Sequence, residues 1–180
     1  MKKHTKKKYL LTTVFIILII AIGFLTYLTS VQIKLMNDRK LYIAMVNDQG
    51  ITREDYQKEL EITAHYFTWA QPKSTKPSSL EKDVLENMIN FRLVLQYAQK
   101  NQITVSQTEL LARYKDIVKG SNMSEEVYLI KIKDMYGIDK KTHLEKLFQE
   151  ILKEKVQKKV GKSLVGWIEE QKSISKIVRF

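Results

Sequence analysis

From Tyr9 to Ile33 the chain runs for 25 residues without a formal charge, and Val14 to Ile22 is continuously apolar. A helix of ~20 such residues crosses a hydrocarbon layer of ~30 Å. Beyond it the pattern becomes that of a folded domain. Leu41-Tyr42-Ile43-Ala44-Met45-Val46 is an apolar run short enough for a strand, and Asn47-Asp48-Gln49-Gly50 reads as a turn. A first helix is expected from Thr52, a plausible N-cap, to about Ala70, with Tyr56, Leu60, Ala64 and Phe67 on its apolar face. Gln71 to Pro77 breaks it. A second helix is expected to start at Ser78 or Ser79, with Ser78 and Glu81 spaced as a capping box, and its stripe holds Val84, Leu85, Met88, Ile89, Leu95 and Ala98.

Ser106 and Glu109 form another capping box, opening a third helix through Leu110, Leu111, Tyr114, Ile117 and Val118, with Gly120 expected as its left-handed cap. Ser124 opens a fourth helix that ends near Gly137. Asp139 caps a fifth, long and amphipathic, carrying Leu144, Leu147, Phe148, Ile151, Leu152, Val156 and Val160; on its exposed side Glu154 can meet Lys158. Leu164, Val165, Trp167 and Ile168 suggest a short helix. Ile174, Lys176, Val178 and Phe180 alternate as a final strand. A lone strand cannot satisfy its backbone groups, so residues 41–46 are expected to pair with 174–180 as a two-stranded closure of the chain ends.

Charge decides what the apolar N-terminal segment is for. The chain carries 31 basic and 20 acidic residues, and five lysines fall within the first eight positions. The long apolar core, with no Ala-x-Ala-like cleavage site after it, favours a retained anchor over a signal peptide. The Lys-rich end is expected in the cytoplasm. This divides the chain into a basic cytoplasmic tail (1–8), a transmembrane signal anchor (9–33), a tether (34–40) and a helical domain (41–180). The protein is thus expected in the cell membrane, single-pass, with its C-terminal domain extracytoplasmic. Residues 34–180 hold 26 basic against 20 acidic side chains, a mixed surface unlike a nucleic-acid module, so no nucleic-acid partner is expected. The absence of cysteine excludes disulfides, thiol catalysis and thiolate metal sites.

Val46-Asn47-Asp48-Gln49-Gly50-Ile51-Thr52-Arg53-Glu54-Asp55-Tyr56 is similar to the opening of the SurA N-terminal domain family, which typically begins Val-Asn-Gly, a polar residue, then Ile-Thr and a helix. Leu85 to Ala98 resembles that family's "Leu-x-x-Leu-Ile-x-x-x-Leu-Leu-x-x-x-Ala" helix. Gln102 to Leu110 resembles its "Gly-Ile-x-Val-Ser-x-x-Glu-Val" junction, and Met123-Ser124-Glu125-Glu126 with Tyr136-Gly137-Ile138-Asp139 its next two helix starts. Order and spacing agree over about residues 44–160. The resemblance is to membrane- or envelope-associated foldases and chaperones such as SurA, PrsA and PpiD. It implies a mainly α fold, a SurA/trigger-factor peptide-binding-domain-like helical bundle. Many members insert a parvulin prolyl isomerase after the long helix. Only 20 residues follow Val160 here, so none is expected. The lipoprotein Cys of PrsA is missing, and the 9–33 segment takes the anchoring role. The family's Asn-Gly is Asn47-Asp48, with Gly only at position 50, so the turn is expected to be remodelled.

Catalytic chemistry has no visible carriers. His4, His65 and His143 lack ligand spacing, so no metal is expected. No phosphate loop or dinucleotide fingerprint occurs, so neither cofactor nor ATP is expected. Glu125-Glu126 suits a helix N-terminus and Glu169-Glu170 a solvated face. Aromatic and Met residues are more informative. Most belong to the core, but Tyr66, Phe67, Trp69, Met88, Phe91, Met123, Tyr128 and Met135 are candidates for an apolar groove that accepts varied segments. Unfolded or secreted polypeptides are the expected partners. Eight lysines on 140–162 read either as a solvated face or as an attraction for anionic lipids, wall polymers or acidic clients. The expected function is an ATP-independent, non-enzymatic, membrane-anchored chaperone-like protein; the alternative is an adaptor subunit of a secretion, conjugation or envelope complex.

Overall fold

The computed structural model describes residues 23, 26–30, 32 and 36–180, and divides into two units, Met1–Leu41 and Tyr42–Phe180. In the first unit residues 26–30 and 36–41 are helical. The hydroxyls of Thr26, Thr29 and Ser30 donate to the carbonyl oxygens three residues back, at 2.9, 2.9 and 2.7 Å. Among the described residues no helix is long and apolar enough to cross a membrane. The basic tail expected over 1–8, and all of the 9–33 anchor except 23, 26–30 and 32, lie outside them.

The second unit is mainly helical. Its elements run β1 (Tyr42–Val46), β2 (Gln49–Thr52), α1 (Arg53–Ala70), α2 (Leu80–Lys100), α3 (Gln107–Gly120), α4 (Glu125–Tyr136), α5 (Lys140–Val160), α6 (Leu164–Ile174) and β3 (Ile177–Arg179). Four helix starts carry the caps that the sequence predicts. Thr52, Ser106, Ser124 and Asp139 accept from the backbone N–H three residues on, at 3.0, 3.1, 3.3 and 2.8 Å. Of the two expected starts of the second helix, Ser79 is the N-cap of α2, but without a side-chain bond, so the Ser78–Glu81 box does not form and the turn is closed by Leu80 N–H donating to the Pro77 carbonyl at 3.1 Å.

The closure is a three-stranded antiparallel sheet in the order β2-β1-β3, not the two-stranded one expected. β1 and β3 pair as anticipated, with Ala44 opposite Arg179 and Val46 opposite Ile177. The extra strand arises because β1 has a second edge to satisfy, and Asn47-Asp48 turns the chain directly back onto it, with Val46 opposite Gln49. The expected turn therefore contracts to two residues. Ile174 closes α6 and is 77% exposed, so β3 starts three residues later than the alternation suggests.

Two apolar clusters form. The first joins Ala44, Val46 and Ile51 of the sheet to Ile89, Leu93, Val94 and Ala98 of α2, Leu152 and Val156 of α5, and Trp167 and Ile168 of α6. The second joins Leu110 and Tyr114 of α3, Tyr128 and Ile132 of α4, Ile138, and Leu147 and Ile151 of α5. Helix α5 serves both, which is why its apolar stripe is wider than one interface needs. Its polar side turns elsewhere than expected: Glu154 meets Arg113 of α3 at 2.8 Å instead of Lys158.

Candidate functional site

Helix α2 buries Val84, Ile89, Leu93, Val94 and Ala98, while Met88, Phe91 and Leu95 are only half-buried. These three lie at the side of the helix turned toward α5. There α5 offers Leu144 and Phe148, also half-buried. Two concavities result. One, of about 640 Å³, lies among α1, α2, α5 and α6; the other, of about 860 Å³, lies among α2, α3 and α5. Phe91, Leu95, Glu145 and Gln149 line both, so a single groove follows the α2–α5 seam. Its apolar floor is Phe91, Leu95, Leu110, Leu144 and Phe148. Phe148 also touches both clusters, so the floor is backed by the whole core.

The lips are charged and largely self-neutralised. Lys146 pairs with Glu59, Lys58 with Glu145 at 3.7 Å, and Lys153 with Glu150 at 2.9 Å. Lys153 also sits 5.8 Å from the centroid of the Phe91 ring, a cation–π distance. The Lys-rich stretch 140–162 is mostly committed in this way: Lys140 to Glu125 at 2.5 Å, Lys155 to Glu109 at 2.5 Å, and Lys162 to Glu170. These lysines fasten α5 and its C-terminal end to their neighbours, and both acidic pairs supply partners, since Glu169 meets Lys172 at 3.1 Å.

Of the eight candidate residues, only Met88 and Phe91 line the groove. Tyr66 and Trp69 belong to an aromatic ladder elsewhere: Tyr66 stacks on Tyr136 of α4 at 4.9 Å and on Trp69 at 6.1 Å. Phe67 is half-buried on α1 and Met135 half-buried on α4. Met123 packs on the second cluster, within which Tyr128 is buried. Groove residues that sequence reading assigned to the core are Leu95, Leu110, Leu144 and Phe148. A stripe of seven apolar positions on α5 was the available signal, since it exceeds what one buried face requires.

The polar chemistry inside the second cluster is structural. The Tyr128 hydroxyl and His143 Nε2 share a hydrogen bond at 2.9 Å, and burial pushes the His143 pKa down. The Tyr114 hydroxyl donates to Glu125 at 3.0 Å; burial first, and then that bonded carboxylate, push its pKa up to about 12. Hydrogen bonds from Lys140 and Tyr114 hold Glu125 below the usual carboxylate range. His65 Nε2 donates to the Asp134 carbonyl at 2.8 Å, tying α1 to α4. Among the described residues no group of three acidic or histidine side chains is placed to hold a metal.

Residues 1–156 match the family described as "SurA-like N-terminal domain". Proteins called "Chaperone SurA" from three Legionella pneumophila strains, Lens, Paris and Philadelphia 1, are 26% identical over 127 residues. That alignment takes in 68% of this chain and 29% of theirs, so the chain spans less than a third of the length of those relatives.

Proposed function

The chain belongs to the SurA-like N-terminal domain family, a chaperone-like family, and from that premise we propose that it holds unfolded or secreted polypeptide in the α2–α5 groove, outside the cytoplasm and without ATP. The observation that carries this reading is the open floor of Phe91, Leu95, Leu144 and Phe148, wide enough for apolar side chains and bordered by polar lips. Half-buried Leu and Phe offer large, non-directional contact, so clients differing in sequence can share the site. Each contact is weak, and dissociation constants in the micromolar range, about −8 kcal/mol, suit a holder that must release. Substrate binding needs no bond to be made or broken, and the reading is of a non-catalytic module.

The charge-free run from Tyr9 to Ile33, behind five lysines, supports a single-pass anchor with the domain on the extracytoplasmic side. The hydroxyls of Thr26, Thr29 and Ser30 already spend their protons on helix carbonyls, which suits hydroxyl side chains in lipid.

The test is suppression of aggregation. Light scattering of two or three unrelated unfolded proteins is expected to rise more slowly with the full chain present and no nucleotide, and Leu144→Ser is expected to weaken that effect several-fold. Protection of none of them, together with tight binding to one folded protein, would sink the chaperone reading in favour of an adaptor. Prolyl isomerisation by the full chain would sink the non-catalytic part.

A further inference from the structure

We propose that α1 is a lid over one stretch of the α2–α5 groove, swinging about its N-terminal end to admit a polypeptide and folding back to retain it. This deepens the polypeptide-holding reading and rests on it. Helix α1 differs from the other five helices of its unit. None of its 18 residues is buried, whereas α2 buries five, α5 four, and α3, α4 and α6 two each. Ile62 is its one apolar side chain packed against either cluster; Leu60 and Phe67 are half-buried and belong to neither. A helix that gives so little to the core disrupts little of it by moving, and elements of that kind open before the rest of a fold.

The ties that reach from α1 to other helices include two ion pairs, from Lys58 and Glu59 to Glu145 and Lys146 of α5. The Tyr56 hydroxyl donates to the Glu81 carbonyl at 3.2 Å, His65 reaches the Asp134 carbonyl, and Tyr66 stacks on Tyr136. Ion pairs at a surface hold weakly, and more weakly as salt rises. All four side chains of the two pairs line the first concavity, so a polypeptide lying in that stretch of the groove has to part them. The two ends of α1 are held differently. Its N-terminus follows Ile51, which is fully buried, and is capped by Thr52. Its C-terminus leads into residues 71–79, all exposed, a length of chain that reaches ~30 Å when extended. The pinned end is the pivot and the slack end the free edge.

The chain has no cysteine, so two introduced ones react alone. In the full chain, Glu59→Cys with Lys146→Cys is either joined by a reducible bis-methanethiosulfonate linker or capped on both thiols with methyl methanethiosulfonate. Holding α1 shut lowers the binding-competent fraction, so at least about fivefold more linked than capped protein is expected to be needed for equal suppression of aggregation, with reductant removing the difference. Equal suppression by the two forms overturns the lid. Hydrogen exchange of the unmodified chain reads the motion directly. Amides of α1 are expected to exchange at least about tenfold faster than those of α2 and α5, and to slow when an unfolded client is bound. Exchange in α1 that matches α2, or that a bound client leaves unchanged, overturns the lid while the groove stands. Fast exchange in α1 with no client protected overturns the polypeptide-holding reading, and with it the lid's purpose, while the motion stands.

Discussion

Among the described residues, three other than glycine adopt left-handed backbone: Asn47 (φ 54°), Gln102 (φ 56°) and Asn122 (φ 55°). Asn tolerates that region; Gln does so at a cost of about 1–2 kcal/mol. Gln102 occupies the position that closes α2, where Ile103 N–H donates to Ala98 at 2.9 Å and Gln102 N–H to Gln99 at 3.3 Å. Gln102→Gly relieves the strain and loses about 0.5–1 kcal/mol of chain entropy, so a net gain near 0.5–1 kcal/mol is expected. Chemical denaturation checks it: an unchanged or lower midpoint would show that the site is not strained. The resemblance hinted at this, because Gln102 stands where the family has Gly. The same reasoning misplaced the end of α3, since Gly120 stays helical and Asn122 takes the left-handed turn. Asn47 was unreadable in another sense. Its side chain donates to Gln96 at 2.7 Å and accepts from Lys176 N–H at 3.0 Å, stitching the hairpin to α2 and to the start of β3, 129 residues on. Gly50 answers the question posed by the remodelled turn: a Cβ there would collide with the Tyr42 ring.

Helix boundaries were legible wherever a side chain does the capping. Caps are local chemistry over three or four residues, so spacing alone reveals them. Ser106→Ala is expected to cost about 1 kcal/mol, because Ser106 accepts the Glu109 N–H, whereas Ser78→Ala is expected to change stability by less than about 0.5 kcal/mol. Equal effects in thermal unfolding would contradict the assigned caps. Strand β2 was not legible. Gln49-Gly50-Ile51-Thr52 lacks a clean alternation and contains glycine, which is depleted in strands. It becomes a strand because β1 lies beside it, which is a pairing property and not a property of those four residues. The end of β3 shows the same dependence. Arg179 meets Glu86 of α2 at 2.6 Å, and Lys172 of α6 approaches the other oxygen at 3.4 Å. Burial pushes the Glu86 carboxyl up, and these two cations outweigh it to leave the pKa lowered.

At the scale of the whole molecule, α5 makes the two clusters one folding unit. Leu147 and Ile151 belong to one cluster, Leu152 and Val156 to the other, on consecutive turns of one helix. Protonation of His143 in the second cluster is therefore expected to be felt in the first. Its folded pKa is lowered from the ordinary 6.5 by burial. The folded state thus binds a proton less readily than the unfolded chain, so this contribution to stability is complete above 6.5 and is lost as pH falls through the folded value. The urea midpoint, followed by fluorescence with its buried Trp167, is expected to drop between about pH 7.5 and about 5.5. His143→Gln is expected to remove most of that drop, while carboxylate effects appear only at lower pH. A variant with the same slope as the parent would exclude His143 as the cause. The groove belongs to this scale as well. Phe91, Leu95, Leu144 and Phe148 carry the same apolar spacing as their buried neighbours, and nothing local marks them as open.

By itself, the sequence determined the helical class, the order of the six helices of residues 42–180, four of their caps, the pairing of the two ends of that unit and the family, because each is written in short-range spacing, in alternation, or in motifs that encode caps and turns. Tertiary structure alone decided the third strand, the partners of the lysines and which apolar residues line a groove, because these depend on where helices distant in sequence leave a gap between them.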